Sequence, residues 1–181
     1  MARTETHTSS SKQHNCGKSL KSPFHLLCFT IGMAIKIEDI PIRLLDKLYE
    51  IEKQCFNQEA FTKQQIAYLL TDYNAIGLAA RANGEIAGFV IARVDIGRNA
   101  PLGHILTVDI APSYRRKGIA QKLLHEVETI FKERGIKECR LEVREDNVAA
   151  SNLYQKLGYK KVGKLEKYYG DAHGLYLKKT L

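Results

Sequence analysis

The amino-acid sequence predicts an α/β fold: a mixed, mostly antiparallel sheet of seven strands with about four helices on its two faces. Three observations lead to this fold. Short apolar runs alternate with longer stretches in which apolar residues recur every three or four positions. Asn83-Gly84 joins two of the short runs, and this dipeptide is a strong signal for a β-hairpin. A strand, a helix and a strand over residues 104–144 predict one parallel pair.

One strand and two helices precede the hairpin. Met33–Ile37 is predicted as a short strand, and Asp39 and Pro41 signal a helix start. A helical stripe continues through Phe56, and Thr62 caps a second helix. The apolar positions of these two helices are Leu44, Leu45, Leu48, Ile51, Cys55, Ile66, Leu69 and Leu70.

The hairpin and the elements after it complete the fold. A basic loop after Pro112 leads into a long amphipathic helix that begins at Gly118 and ends at Gly135. A shorter helix starts at Asp146 or Asn147. The strands of this part are predicted at Ile76–Ala82, Glu85–Ile96, His104–Ile110, Cys139–Arg144, Tyr159–Tyr169 and Leu175–Thr180.

The length of 181 residues suits one domain with its own core, and the formal net charge is +8. This charge suits a phosphate-bearing ligand or a ribosomal environment, although a solvated lysine surface produces the same excess. No stripe of alternating basic and aromatic residues runs through the domain, which argues against a nucleic-acid-binding protein. The four cysteines contain no CxxC pair, so we expect reduced thiols rather than a disulfide framework or a zinc site.

Residues 1–32 are predicted to be a disordered basic tail, and residues 33–181 a single folded domain. The stretch Phe24–Ile35 is apolar apart from His25, as in a signal peptide. We expect no export, because this stretch runs into residues that the first strand needs. A start at Met33 is a further hypothesis. No apolar run reaches the ~18 residues that span a bilayer, so we expect no membrane insertion.

The run Arg115-Arg116-Lys117-Gly118-Ile119-Ala120 opens the long helix. A helix N-terminus has four N–H groups without intrahelical partners, and the helix dipole adds positive potential there. Small residues at 118 and 120 allow phosphate oxygens to approach the backbone, and three preceding cations attract them. The run therefore indicates an anion site that suits a diphosphate, whereas a basic loop facing solvent is the alternative.

Two blocks of sequence resemble the GNAT superfamily of N-acetyltransferases. The first is Arg-x-x-Gly-x-Ala at residues 115–120, and the second runs from Asn147 through Leu153-Tyr154 to Gly158-Tyr159. The resemblance covers roughly residues 34–181. It implies a single GNAT-like domain and acetyl-CoA as the cosubstrate, with the diphosphate bound at residues 115–120.

Within the superfamily, the sequence is most similar to RimI-like and archaeal protein N-terminal acetyltransferases. The shared features are Leu141-Glu142-Val143-Arg144 and the pair Tyr168-Tyr169. In many relatives a proline-containing loop lines the peptide site, but residues 56–61 contain no proline here. The preferred N-terminal residue is therefore left open.

The resemblance also implies the catalytic roles. Glu142 corresponds to the general base, His104 to a position where some relatives carry a second base, and Tyr154 to the acid that protonates the coenzyme A thiolate. An α-amino group, with a pKa near ~8, needs less help from a base than a lysine near ~10.4. A strand-end histidine without a catalytic role is the alternative for His104. His104 and Glu142 alone would make a poor metal site, so no metal is expected.

The remaining site residues follow from the same resemblance. Val108 and Ile110 are expected to pair their backbones with the pantetheine arm as an added strand would, and Asn147 to contact this arm from the other side. Tyr154 contributes to the same cofactor site. The residues expected to line the peptide site are Phe56, Phe61, Tyr168 and Tyr169.

The predicted function is transfer of an acetyl group from acetyl-CoA to the N-terminal α-amino group of proteins in the cytoplasm. Peptide or protein N-termini, including ribosomal proteins or nascent chains, are the expected partners, with no specific nucleic acid and no membrane. Acetylation of a lysine side chain or of a small-molecule amine is one alternative. A non-catalytic regulatory protein that binds acetyl-CoA is another, against which the presence of both Glu142 and Tyr154 argues.

Overall fold

The computed structural model describes residues 33–56, 59–97 and 100–181. The predicted tail at residues 1–32 and its signal-peptide-like stretch up to Ile31 lie outside these residues. Within the described ranges, no helix is both long enough and apolar enough to cross a membrane.

Seven strands form one sheet in the described part of the chain. Their spatial order is β1-β2-β3-β4-β5-β7-β6, and β4 with β5 is the one parallel pair among these neighbours. The predicted mixed, mostly antiparallel sheet is confirmed. The strands are β1 (Ile35–Asp39), β2 (Ala75–Ala82), β3 (Glu85–Ile96), β4 (Pro101–Ile110), β5 (Glu138–Arg144), β6 (Lys160–Tyr169) and β7 (Ala172–Thr180).

Four α-helices of the described residues accompany the sheet: α1 (Leu45–Phe56), α2 (Lys63–Thr71), α3 (Ile119–Glu133) and α4 (Val148–Lys156). Thr62 caps α2 in a reciprocal capping box with Gln65, in agreement with the sequence. The side chain of Asn147 caps α4 by accepting a bond from the N–H of Ala150 at 3.1 Å.

The first elements lie a few residues later than the sequence predicts. Strand β1 extends to Asp39, because Asp39 pairs with Leu78 of β2. The chain then makes a 3-10 turn at Ile42–Leu44 before α1 begins at Leu45. Asp39 and Pro41 therefore mark the end of a strand and a turn rather than the cap of the helix.

Helices cover both faces of the sheet, as predicted. The core on one face packs α3 and Tyr154 of α4 against β2, β3 and β4. The core on the other face packs Leu48 and Ile51 of α1 and Ile66 of α2 against the sheet. Gly103 lets α3 approach β4, since a Cβ there would lie 2.5 Å from the ring of Phe131.

Strands β4 and β5 separate soon after they meet. They pair at only two positions, Gly103 with Cys139 and His104 with Arg140. Beyond His104, strand β4 contains a bulge at Leu106. This residue has no partner on β3, because Ile105 and Thr107 pair with two consecutive residues there. Bulges bend a strand and increase its twist, so β4 turns away from β5. The opening between the two strands is where the candidate site lies.

Candidate active site

An open cleft with a volume of about 1430 Å³ occupies the space between β4 and β5. It is lined by α1, the segment between α1 and α2, both separating strands, the start of α4 and the β6–β7 turn. The structure brings these predicted residues together in the cleft: His104, Glu142 and Tyr154 as catalytic, Val108 and Asn147 as cofactor-binding, and Phe56, Phe61, Tyr168 and Tyr169 as peptide-binding.

His104 and Glu142 are in direct contact. His104 pairs with Arg140 across the two strands, and Glu142 follows Arg140 by two residues, so all three side chains lie on one face. The Nε2 atom of His104 is 2.7 Å from Oε2 of Glu142. Both side chains are almost buried, with 11% and 12% exposed. The two predicted bases therefore form one hydrogen-bonded unit, the His104–Glu142 unit, at the cleft wall.

A second acid, Asp95, extends this unit on the side away from the cleft. The Oδ2 atom of Asp95 on β3 lies 3.2 Å from Nδ1 of His104 and 2.7 Å from Nη2 of Arg140. Arg93 donates to the other carboxylate oxygen at 2.6 Å. Burial alone would raise the pKa of Asp95, but the hydrogen bonds from Arg140 and Arg93 outweigh it and hold this pKa below its usual value.

Tyr154 reaches the cleft from α4. Its side chain is buried within the core on the α3 side, where its ring makes an edge contact with Tyr159 at 5.7 Å between centroids. Burial, and next the charge of Asp109, raise the pKa of Tyr154 well above its ordinary value. The phenol therefore keeps its proton at neutral pH, which is the form that a proton donor requires.

Two further acids meet on the α1 side of β4. Glu52 and Asp109 are almost completely buried, and Glu52 also lines the cleft. One oxygen of Asp109 accepts from Thr107 at 2.8 Å, and one oxygen of Glu52 accepts from the N–H of Phe61 at 2.9 Å. The remaining oxygen of each has no hydrogen-bond partner among the described residues unless the two acids share a proton. Burial raises both pKa values, which favours this protonated pair.

Cys55 lies beside this pair and also lines the cleft. Its Sγ donates to the carbonyl of Ile110 at 3.5 Å, and burial raises the pKa of the thiol to about 11. A thiol with such a pKa is almost entirely protonated at neutral pH and is a weak nucleophile. Cys55 is therefore unsuited to act as a nucleophile in this cleft.

The predicted anion run lies at the N-terminus of α3. Gly118 is the N-cap with φ 77°, and α3 has no side-chain cap. A Cβ at Gly118 would meet no atom within 4 Å, so this helix end is open. Ile119 is buried and can offer only its backbone, and the backbone of Ala120 follows in the first turn. These features suit a bound anion.

The three cations of this run differ in their contacts. Arg115 donates to the carbonyl of Ile110 at 3.1 Å, and Lys117 donates to the carbonyl of Ser113 at 3.0 Å. Arg116 makes no hydrogen bond or ion pair with any residue that the structure describes. Since the carbonyl of Ile110 already accepts bonds from Cys55 and Arg115, Val108 is the predicted backbone partner that remains available at the cleft.

A charged bridge that the sequence did not reveal crosses the end of the cleft where the peptide is predicted to bind. Arg144 forms an ion pair with Glu59 between α1 and α2 and lies 3.7 Å from Asp171 in the β6–β7 turn. Its guanidinium also stands 5.9 Å from the ring centroid of Tyr169. Tyr168 and Tyr169 pack edge to face, with Tyr168 54% exposed. The bridge connects the segment between α1 and α2 with the β6–β7 turn.

Sequence reasoning missed Asp95, Arg140, Glu52 and Asp109. A usable signal existed for the last two, since Glu52 falls within the apolar stripe of α1 and Asp109 interrupts an apolar strand. Asp95 and Arg140 carried no such signal, because their roles depend on which strands pair. Within the described ranges, no group of three or more His, Cys, Asp or Glu side chains is arranged to hold a metal ion.

Comparisons with known proteins identify the family of this chain. The model of the acetyltransferase (GNAT) family matches residues 45–159. The N-alpha-acetyltransferase of Sulfurisphaera tokodaii is 36% identical over 117 residues, which cover 60% of this chain and 70% of that protein.

Two solved structures share the fold. The ribosomal-protein-S18-alanine N-acetyltransferase from Escherichia coli superposes with a TM-score of 0.72 at 21% identity, covering 81% of this chain and 94% of that one. Arabidopsis thaliana NAA60 in complex with acetyl-CoA has a TM-score of 0.74 at 20% identity, covering 82% of this chain and 99% of that one. The chain belongs to the acetyltransferase (GNAT) family, and its predicted class, an acetyl-CoA-dependent N-acetyltransferase, is confirmed.

Proposed function

We propose that this enzyme transfers the acetyl group of acetyl-CoA to the α-amino group at the N-terminus of peptides and proteins. The observation that carries the proposal is the opening between β4 and β5. It brings the His104–Glu142 unit and Tyr154 into one cleft. A proton acceptor and a proton donor thus face the same space, which amide formation from an amine and a thioester requires.

Acetyl-CoA supplies an acetyl group activated as a thioester. The residues that would hold it are the backbone at Gly118–Ala120 for the diphosphate, Arg116 for added positive charge, and Val108 for the pantetheine arm. The fit rests on the uncapped N-terminus of α3 and on the stretch of β4 after His104, which has no pairing with β5. An extended arm can bond to such a free strand edge as an added strand would.

The chemical roles follow from the state of each group. The acceptor amine must lose a proton, and the His104–Glu142 unit lies at the cleft wall to receive it directly or through a water molecule. The departing thiolate must gain a proton, and Tyr154 holds one because burial keeps its phenol neutral. Assistance of this kind is typically worth ~10²–10⁴ in rate.

The acceptor is proposed to be a chain terminus. Arg144 bridges the two segments that wall the acceptor side, and this bridge suits the end of a chain better than a segment passing through. The name of the Sulfurisphaera relative supports an α-amine. Ribosomal proteins or nascent chains in the cytoplasm are the proposed acceptors, which the net charge of +8 and the S18-alanine enzyme of the same fold support.

A peptide library tests the acceptor class. One half carries free N-termini and no lysine, and the other half carries blocked N-termini and one internal lysine. Acetyl transfer from acetyl-CoA is followed by mass. We expect transfer to the first half at a rate at least about tenfold higher, because an α-amine is far more often neutral at pH 7 than a lysine. Preferential transfer to the lysine peptides would contradict the proposal.

A further inference from the structure

The His104–Glu142 unit does not end at His104. On the side away from the cleft, Asp95 and Arg140 both contact the Nδ1 end of the imidazole, at 3.2 Å and 3.4 Å. We propose that Asp95 and Arg140 are positioning residues that act in opposite directions on the proton shared between His104 and Glu142. This inference rests on the proposed function of the His104–Glu142 unit.

The hydrogen-bond geometry limits where the protons of His104 can be. Both ring nitrogens face carboxylate oxygens, at 3.2 Å on the Asp95 side and 2.7 Å on the Glu142 side. A neutral imidazole has one N–H and can satisfy only one of these contacts, whereas an imidazolium donates to both. Nδ1 also lies 3.4 Å from Nη2 of Arg140, but the carboxylate of Asp95 is nearer, at 3.2 Å, and favours a proton on Nδ1. With this assignment, the proton that comes and goes is the one between Nε2 and Glu142. This proton lies at the cleft, where the acceptor amine releases its own.

Arg140 opposes this effect from the same place. Its Nη2 donates to Oδ2 of Asp95 at 2.7 Å, which is the oxygen that also faces His104. The arginine therefore neutralises part of the charge that Asp95 directs at the imidazole. An arginine retains its proton under all working conditions, so its charge is constant. Asp95 favours retention of the shared proton, and Arg140 favours its release.

The other titratable groups around the unit keep one charge state near neutral pH. Burial raises the pKa of Tyr168 and of Tyr169, so both phenols stay neutral. The pKa of Asp95 is lowered, so it stays ionised. The α-amine of the peptide titrates identically with every variant, so a difference in the pH profile between variants can be assigned to the shared proton. The charged and titratable groups that face the unit are Arg93 and Asp95 on β3, Arg140 on β5, Tyr168 and Tyr169 on β6, and Tyr176 and Lys178 on β7.

Two variants test the proposal by the sign of their effects. For wild type, Asp95→Asn and Arg140→Gln, kcat/KM is measured against pH on one peptide with a free N-terminus. We expect Asp95→Asn to move the midpoint of the acidic limb down by roughly one pH unit, because the negative charge beside the imidazole is lost. Arg140→Gln should move it up by a similar amount. Asp95→Asn should also lower the plateau by about tenfold, since the tautomer is less firmly held.

A second ion pair provides the matched controls. Glu38 and Arg81 join β1 to β2 with the same 2.7 Å contact to Nη2 and similar exposure, and neither lines the cleft. Glu38→Gln and Arg81→Gln should leave both limbs in place. If Asp95→Asn does not fold, the proposal is tested by Arg140→Gln alone, for which we expect the midpoint of the acidic limb to move up.

Shifts in the same direction, or no shift, would overturn the roles of Asp95 and Arg140. A wild-type profile in Glu142→Gln would instead show that the proposed base is wrong, so the two failures are distinguishable.

Discussion

Two groups of acidic side chains lie against strand β4, and their protonation tendencies are opposite. On the β3–β5 side, Asp95 has a lowered pKa because Arg140 and Arg93 offset its burial. On the α1 side, Glu52 and Asp109 have raised pKa values, chiefly because they are buried. The pKa of Asp95 is thus lowered, whereas the pKa values of Glu52 and Asp109 are raised.

The difference shows that arginine placement, together with burial, decides how a carboxylate behaves. Arginines reach Asp95 from two strands, whereas the hydrogen bonds to the Glu52–Asp109 pair come from Thr107 and a backbone N–H. The ionised group can therefore support proton transfer at His104 and Glu142. The Glu52–Asp109 pair lies between α1 and β4, and Glu52 accepts the N–H of Phe61. The following predictions test this division of roles, beginning with the largest expected effect.

Tyr154→Phe removes one hydroxyl and little volume. Because burial and the nearby Asp109 keep this phenol protonated, its loss removes a proton donor rather than a structural contact. We expect kcat to fall roughly 10- to 1000-fold with little change in KM. Steady-state kinetics check this, and unchanged acetyl-CoA affinity by calorimetry confirms that the variant is folded. Turnover at the wild-type rate would remove Tyr154 from the mechanism.

Gly118→Asp and Gly118→Asn test how charge acts at the N-terminus of α3, where the diphosphate is proposed to bind. Both residues tolerate the left-handed backbone that Gly118 adopts, and they differ only in charge. An added carboxylate should repel the diphosphate at the N-terminus of α3. We expect acetyl-CoA to bind about tenfold or more weakly to the Asp variant than to the Asn variant. Equal affinities of the two variants by calorimetry would show that the diphosphate does not bind at Gly118.

Glu52→Gln tests the protonated pair through stability. The pKa of Glu52 is raised in the folded protein, so the folded state binds more protons than the unfolded state above the ordinary pKa, and its stability falls as pH rises through the folded value. Glutamine can bond to Asp109 and to the N–H of Phe61 without a shared proton. We therefore expect its thermal midpoint to gain a few degrees over wild type between about pH 5 and pH 8.

Glu38→Gln is the control for this effect. The hydrogen bond from Arg81 lowers the pKa of Glu38, so its stabilising contribution is present above the ordinary pKa and is lost as pH falls through the folded value. Its midpoint relative to wild type should change only below about pH 5. If the thermal midpoint of Glu52→Gln differs from that of wild type by the same amount at every pH, the pair shares no proton.

The periodic parts of the fold could be predicted from the sequence. Short apolar runs located the strands, Thr62 caps α2 as predicted, and Asn147, one of the two predicted starts, caps α4. The first strand was displaced because Asp39, a helix-start residue by type, pairs with Leu78 instead. Local preference was overruled there by pairing with β2.

The candidate site could be predicted only where a motif carried it. Glu142 and Tyr154 were found through the family resemblance. Asp95 and Arg140 meet His104 because of the register between β3, β4 and β5, and register is a property of the assembled sheet. The bridge from Arg144 to Glu59 likewise joins two segments far apart in the chain, so no local pattern could indicate it.

The most direct test of the account is the pH dependence of Glu142→Gln. The variant and the wild type are compared by kcat/KM from about pH 5.5 to pH 9.5 on a peptide with a free N-terminus and no lysine. We expect a loss of at least tenfold near pH 6 that shrinks above about pH 8, because the α-amine is then already neutral. A profile indistinguishable from wild type would contradict the assignment of Glu142 as the base. A loss that persists to pH 9.5, where the α-amine is already neutral, would contradict proton removal from the amine as the role of Glu142.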